Sequence, residues 1–340
     1  MSEVIHVNKA FFPEVGGIET VCKQYALLSK SLFKKVSVLT IDDKVGFGWR
    51  NEIVDGITVK KCRYQFLFFG HRFSIEFFCV LFYLSFKEIV LHMHDPFPLA
   101  TLALVFSKPH KLIVTYHSDI IKQKSLKPLV DIIRMAVLNK ATVITTTSSE
   151  MIKNSDLLCR LKQKKIHILP LFLDDLAIYK KPISEANIVD VDILSATSNK
   201  QFLLMLGRMN YYKGLDVLLS AIQKLESEGR LLSTEILIIG KIVDIEAKNT
   251  LDTLSSLSKK ITVIDKYISI EEKLYLLQKC SGLLFLSNHR SEAFGIVQLE
   301  AMAAGTPVIN MNIKSGVPWV SKHNETGLTC LLYTSPSPRD

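Results

Sequence analysis

Residues 282–309 read GLLFLSNHRSEAFGIVQLEAMAAGTPVI. The apolar run Gly282–Leu286 predicts a buried strand, Asn288–Ala293 a polar loop, and a helix is predicted to begin near Phe294. A second strand is predicted at Pro307–Asn310, so the stretch reads as a parallel βαβ unit. Within the helix only Gln298 and Glu300 are polar among Ile296, Val297, Leu299, Ala301, Met302 and Ala303. Two positions apart is about 200° around a helix axis. The two cannot share one solvated face, which predicts a largely buried helix. A buried carboxylate is costly unless it is hydrogen-bonded. Either the hydroxyls of a ligand or a salt bridge to a neighbouring element would meet that need for Glu300. Glu292 stands about two turns earlier, near the same end.

The same alternation extends outward in both directions. Val4–Val7, Val36–Thr40, Ile89–His92, Leu112–Tyr116, Thr142–Thr146 and Ile166–Leu169 read as strands in the first half. Phe202–Leu206, Glu235–Ile239 and Ile261–Ile264 join the two strands above in the second. Apolar runs without strict alternation suit parallel strands covered on both faces. Ile18, Val21, Cys22, Tyr25 and Leu28 recur at helical spacing, as do Leu215, Leu218, Leu219, Ile222 and Leu225. The fold class is therefore α/β, with two doubly wound parallel-sheet domains facing a cleft. A boundary is expected in Asp174–Lys200, which is polar and lacks sustained periodicity. That divides the chain into 1–180 and 181–329. The last residues, 330–340, read CLLYTSPSPRD and break the rhythm; they are expected to be a non-native tail translated from a sequencing adapter.

With 340 residues there is ample chain for two cores, and an apolar content of 48% excludes a disordered protein. Six scattered cysteines without a CxxC pair suit reduced thiols, and Met1 is not followed by a basic-then-apolar leader, so a cytoplasmic setting is expected. The net charge of +9 is one-sided: 26 Lys and Arg against 16 Asp and Glu through Lys181, then 16 against 17. A basic half faces an anionic partner or is a solvated surface. No nucleic-acid-binding pattern occurs, so nucleic acid is not expected. Phe73–Phe86, FSIEFFCVLFYLSF, is interrupted by Glu76 and too short to span a bilayer. It reads as a buried helix or, with Tyr64–Phe69, Arg63 and Arg72, as a surface resting on an anionic membrane.

Three further turns are candidates for phosphate. Phe202–Leu206 leads into GRMNYYKG, where Arg208 and Lys213 precede a helix. A cation beside a helix N-terminus is mildly disfavoured, and a bound diphosphate would reverse that sign. The amides of Phe294, Gly295 and Ile296 open the helix of residues 294–303 and attract an anion. Gly16 and Gly17 follow the first strand and let a ligand approach the backbone. His117 ends a strand in TYHSD, where cleft residues sit. His92 and His94 in HMHDP share a strand face, but no third or fourth ligand is apparent, so no metal is expected. The absence of GxGxxG argues against a nicotinamide cofactor, and no cofactor is expected.

Together these residues resemble the retaining glycosyltransferases of family 4, which have the two-Rossmann GT-B architecture. SEAFGIVQLEAMAAGTPVI is similar to that family's E-x7-E motif, and GRMNYYKGLDVLL, the GG loop and TYHSDI add to the likeness. The resemblance implies metal-independent transfer of a sugar, with retention, from a nucleotide diphosphate sugar to a glycan or lipid-linked glycan. It implies that Arg208 and Lys213 grip the diphosphate, with Gly16, Gly17 and the amides of Phe294, Gly295 and Ile296 facing phosphate or sugar. Glu300 would bind ribose hydroxyls, Glu292 would orient a hydroxyl of the donor sugar, and His117 would lie beside that sugar. Residues 1–180 become the acceptor domain and 181–329 the donor domain. Family members continue past Thr329 to a helix that returns to the first domain; the resemblance implies that a chain cut there is destabilised. Ile238–Asp244 lacks a second glycine common in the family, and Asp265–Ser269 replaces a glycine-containing turn near the nucleobase. A nucleotide-sugar epimerase, a synthase acting on a soluble sugar phosphate, and a non-catalytic sugar-nucleotide-binding fragment are the alternative readings. The expected setting is cytoplasmic, or peripheral at the inner face of the plasma membrane through the basic first half.

Overall fold

The computed structural model describes residues 3–14, 16–68, 70–120, 127–161, 166–198, 200–230 and 234–331. The chain divides into two compact units, Met1–Leu171 and Phe172–Asp340.

The first unit runs β1 (Glu3–Val7), α1 (Gly17–Ser29), β2 (Lys35–Val45), β3 (Trp49–Val54), β4 (Ile57–Tyr64), β5 (Phe66–Phe68), β6 (His71–Phe73) and α2 (Ile75–Leu84). It continues with β7 (Val90–Asp95), α3 (Pro98–Val105), β8 (Lys111–Tyr116), α4 (Lys127–Lys140), β9 (Val143–Thr146), α5 (Ser149–Asn154) and β10 (Ile166–Ile168). The main sheet has the order β10-β9-β8-β7-β1-β2-β4-β3. Every neighbouring pair is parallel except β3 with β4. That pair is a hairpin turned by Asp55 at φ 49° and Gly56 at φ 71°. Two positive φ values in succession match the twist of the flanking strands, and Asp-Gly supplies them at low steric cost.

Two sequence expectations fail in this unit. The segment 73–86 is not a buried helix: on α2 Phe77 and Leu81 are buried, while Ile75 and Tyr83 are 48% and 61% exposed. A helix ten residues long presents one stripe to the sheet, so a sequence apolar all round leaves the rest outside. Leu28, counted on the apolar face of α1, is likewise exposed near the end of the helix, and Ala26 takes the buried position.

The second unit runs α6 (Ala177–Lys180), α7 (Val191–Thr197), β11 (Phe202–Leu206), α8 (Leu215–Ser227), β12 (Glu235–Ile239), α9 (Ile245–Leu257) and β13 (Ile261–Ile264). It ends with α10 (Ile270–Lys279), β14 (Gly282–Phe285), α11 (Ile296–Ala303), β15 (Val308–Met311), α12 (Val317–Val320) and β16 (Gly327–Cys330). Its six strands are all parallel, in the order β13-β12-β11-β14-β15-β16. One core joins Phe202, Leu204, Leu237, Leu276, Leu283 and Val308, with Leu215, Leu218 and Ile222 packed down from α8. Of the stretch set apart as a tail, Cys330 closes β16, and residues 332–340 lie outside the described residues.

Candidate functional site

The strand order of the second unit reverses between β11 and β14. In a doubly wound sheet the crevice for a ligand opens at that reversal, beyond the carboxyl ends of the two strands. The loops leaving those ends are 207–214 and 286–295, two of the three turns singled out above for phosphate.

Both loops are pinned by close backbone packing. Gly214 sits at φ 76° as the N-cap of α8, and a Cβ there would lie 1.8 Å from the Leu286 carbonyl oxygen. Gly295 sits at φ 77° as the N-cap of α11, where a Cβ would lie 2.3 Å from the Phe285 ring. Left-handed backbone and contact distance both demand glycine. The same packing moves the helix start from the expected Phe294 to Ile296, because Gly295 in that conformation cannot be a helical residue. Phe294 turns its side chain inward, against Trp319 at 6.1 Å between ring centroids. Behind the first loop, Gly240 at φ 145° presses on Gly207, and the amide of Met209 donates to Lys241 O.

Lys213 and Glu292 meet in this setting. Lys213 Nζ donates to Glu292 Oε2 at 2.5 Å, each side chain being 15% exposed. Ser287 Oγ donates to the same oxygen at 3.2 Å. The ammonium also lies 5.1 Å from the Phe285 ring, the ring against which Gly295 packs, so the cation stands beside the start of α11. Arg208 is exposed and, among the described residues, has no acidic partner.

Glu300 lies on another side of α11. Its Oε1 accepts from Lys273 Nζ at 2.6 Å and from the Tyr179 hydroxyl at 3.1 Å. Burial, followed by the Glu300 charge, pushes the Tyr179 hydroxyl pKa well up, so it stays a donor at any ordinary pH. Gln298, the other polar residue of the helix, is a brace: its amide donates to Phe294 O at 2.8 Å and accepts from Asn310 at 2.9 Å. As the angle between them predicts, the two share no solvated face and both are buried, but the partners Lys273, Tyr179 and Ser287 were missed. Each is an ordinary residue until the fold brings it to the carboxylate.

In the first unit the strand order reverses between β1 and β7. Gly16 and Gly17 lie at the turn after β1. Gly16 is extended at φ −158°, a conformation open to any residue, and no atom of the described residues lies within 4 Å of a Cβ placed on Gly17. His117 follows β8 and is 5% exposed. Its Nε2 faces His94 Nδ1 at 3.1 Å, and its amide donates to Asp95 O at 2.9 Å. Burial, then the neighbouring His92 and Lys9, lowers its pKa to about 3, so the ring is neutral at pH 7. Arg134, 2% exposed, donates to the Asp95 carboxylate through Nε and Nη2, and Nη2 also donates to Ser118 O at 3.0 Å. That clamp fixes the backbone on the C-terminal side of His117.

Two family models cover most of the chain: Glycosyltransferase Family 4 over residues 15–175 and Glycosyl transferases group 1 over residues 190–335. D-rhamnosyltransferase WbpZ of Pseudomonas aeruginosa is 30% identical over 332 residues, 96% of this chain and 81% of that protein. O-antigen chain mannosyltransferase C of Escherichia coli is 26% identical over 98% of this chain and 85% of that protein. Among solved structures, sucrose-phosphate synthase from Thermosynechococcus elongatus superposes with a TM-score of 0.70 at 17% identity, covering 97% of this chain and 86% of that one. Anabaena Alr3699/HepE in complex with UDP and glucose does so with a TM-score of 0.68 at 14% identity, over the same shares. The structural likeness establishes the GT-B fold, and the sequence likeness goes further: the chain belongs to glycosyltransferase family 4.

Proposed function

We propose that this glycosyltransferase moves a sugar from a nucleotide diphosphate sugar onto a glycan or lipid-linked glycan during synthesis of a cell-surface polysaccharide. The observation that carries the reading is the Lys213–Glu292 pair beside the start of α11, with Arg208, which has no acidic partner among the described residues, on the same turn. A diphosphate draws Lys213 away from Glu292, accepts from Arg208, and takes amide hydrogens at the helix start. Glu292, released, accepts from a hydroxyl of the donor sugar. Glu300 accepts from ribose hydroxyls, in exchange for or beside Lys273 and Tyr179. Gly16 and Gly17 leave backbone that a phosphate or sugar can approach, and neutral His117 serves as a hydrogen-bonding group for the sugar.

The reaction needs charge balanced on the leaving group as the bond from the anomeric carbon to the β-phosphate oxygen breaks. Arg208, Lys213 and helix amides supply it, so no metal is required at the phosphates. The acceptor oxygen bonds to the anomeric carbon on the face that the phosphate leaves, and its proton passes to the departing phosphate oxygen. Configuration is retained, and Glu292 orients without forming a covalent intermediate.

A lipid-linked acceptor would sit at a membrane, and the first unit has a surface suited to one. Phe47, Phe66, Leu67, Phe68 and Ile75 are 72%, 47%, 61%, 58% and 48% exposed. They are tied together by Glu76, which accepts from the Gly48 amide and from Gln65, while Gln65 accepts from the Ile75 amide. Arg63 and Lys44 are exposed at its edge. Apolar side chains ringed by cations fit an anionic lipid surface. Among the described residues no helix is long and apolar enough to cross a membrane.

The test is release of nucleoside diphosphate from a panel of UDP-, GDP-, ADP- and dTDP-sugars, with and without lipid-linked glycan acceptors. Acceptor-dependent release is expected for one donor. Turnover of the sugar nucleotide without any acceptor and without release of diphosphate would overturn the reading. Sedimentation with phosphatidylglycerol vesicles, lost in Leu67→Asp, tests the membrane surface; equal recovery with neutral vesicles would remove the electrostatic part.

A further inference from the structure

Four histidines lie together inside the first unit, and the sugar-transfer chemistry uses only His117. His6 on β1 pairs in register with His92 on β7, and His94 follows on the same face of β7. One ring nitrogen from each of His6, His92 and His94 lies within 4.8 Å of the other two. The three rings are 0%, 8% and 0% exposed. His92 and His94 stack at 4.7 Å between centroids, and His6 and His92 approach to 4.8 Å.

The hydrogen bonds around the cluster dispose its lone pairs. Ser29 Oγ donates to Tyr25 O at 2.7 Å, so at 3.1 Å it accepts from His6 Nε2–H. The neutral ring then carries a bare lone pair on Nδ1, and that atom is fully buried without a hydrogen-bond partner among the described residues. His94 Nε2 is likewise buried without one among those residues. His92 Nε2 is occupied by Thr115 Oγ1 at 2.7 Å, itself backed by Thr145 at 2.8 Å. Among the described residues each ring therefore has a hydrogen-bond partner on one nitrogen only, the outer-shell arrangement that orients histidine ligands. Buried polar atoms without partners are rare in native proteins, and an ion or water that meets them is the usual explanation.

We propose that His6, His92 and His94 form a closed binding site for a divalent transition metal, zinc foremost. Two alternating residues of one strand and their neighbour on the next give three imidazoles, a ligand set suited to zinc. Bonds of about 2.0–2.1 Å in a tetrahedral site set the nitrogens ~3.4 Å apart, so the rings close by roughly an ångström or less each. The fourth position is taken by water. Metal on His94 Nε2 places the ring proton on Nδ1, which donates to His117 Nε2, so occupancy also fixes the orientation of His117. The site lies in a different unit from Arg208 and Lys213, and it stands whatever donor the enzyme uses.

The experiment uses the full chain, dialysed against chelator, titrated with Co²⁺ and then Zn²⁺. One equivalent of Co²⁺ is expected to give the visible bands of a tetrahedral site, Zn²⁺ is expected to bleach them, and either ion is expected to raise Tm. His6→Gln is expected to abolish the bands, whereas His110→Ala and His167→Ala, at exposed positions, leave them unchanged. Ser29→Ala removes only the outer-shell bond and is expected to weaken binding roughly 10–100-fold. Absence of the bands at excess Co²⁺ with an unchanged Tm would mean that water fills the space, and the proposal fails. Bands that persist at full strength in both His6→Gln and Ser29→Ala would also sink it.

Discussion

Lys213 has two partners in this account, a carboxylate at rest and a diphosphate when donor is bound, and mutation separates them. Lys213→Met leaves Glu292 with Ser287 as its one side-chain donor among the described residues, in a place where the Glu292 side chain is 15% exposed. Leaving a buried charge without its cation costs about 3–5 kcal/mol, and partial exposure brings this to ~2–3 kcal/mol. For a unit of this size that lowers Tm by roughly 4–10 °C. Glu292→Gln removes the charge instead and keeps an acceptor, so the loss is smaller, about 1 kcal/mol. The double variant Lys213→Met/Glu292→Gln has no charge to strand and is expected within about 1 kcal/mol of wild type. Diphosphate affinity follows a different order. Lys213→Met and the double variant both lose a charge-assisted bond of about 1.5–3 kcal/mol, a roughly 10–150-fold rise in Kd. Glu292→Gln frees Lys213 from a competitor and is expected to bind nucleoside diphosphate as well as wild type or better, with slower sugar transfer. Denaturation scans with calorimetric titration of the best nucleoside diphosphate make the comparison. If Glu292→Gln weakens diphosphate binding as much as Lys213→Met, the pair is a structural brace and Lys213 is not a phosphate ligand.

Two further outcomes are expected. Gly240→Ala would place a Cβ 1.8 Å from Gly207 O at a backbone φ of 145°, so it is expected to cost more than ~3 kcal/mol and to impair donor binding through the 207–214 loop; a Tm within 2 °C of wild type, roughly 1 kcal/mol, would contradict this. In chelator-treated protein, burial lowers the pKa of His92 to about 4 and of His117, also beside His92 and Lys9, to about 3. The unfolded value is about 6.5, so their contribution is complete above that pH and falls as the unfolded chain takes protons. At pH 5 the two together remove roughly 4 kcal/mol, and urea midpoints that do not move between pH 7 and pH 5 would refute it.

The second unit was readable because its strands are all parallel and its inner ones are largely buried: Phe202–Leu206, Glu235–Ile239 and Ile261–Ile264 run where apolar runs placed them. The hairpin of β3 and β4 was missed although Asp55-Gly56 is a strong turn signal, since attention to parallel strands passes over alternating ones. The charges of the site were readable and their partners were not. Lys213 and Glu292 are 79 residues apart in sequence, and Tyr179 and Glu300 are 121 apart. The histidine cluster shows the same limit. HMHDP supplies two rings, and the third comes from β1 because β1 lies beside β7, a matter of sheet order that local pattern does not carry.

The proposed recognition of ribose by Glu300 is the most direct point of measurement, because the nucleotide reading requires a carboxylate facing paired hydroxyls. The Kd of a nucleoside diphosphate is compared with that of its 2′,3′-dideoxy counterpart, in wild type and in Glu300→Gln. Wild type is expected to favour the ribonucleotide at least roughly tenfold, and Glu300→Gln to lose most of that preference. Equal affinity of wild type for the two nucleotides would contradict the placement of the nucleotide on α11.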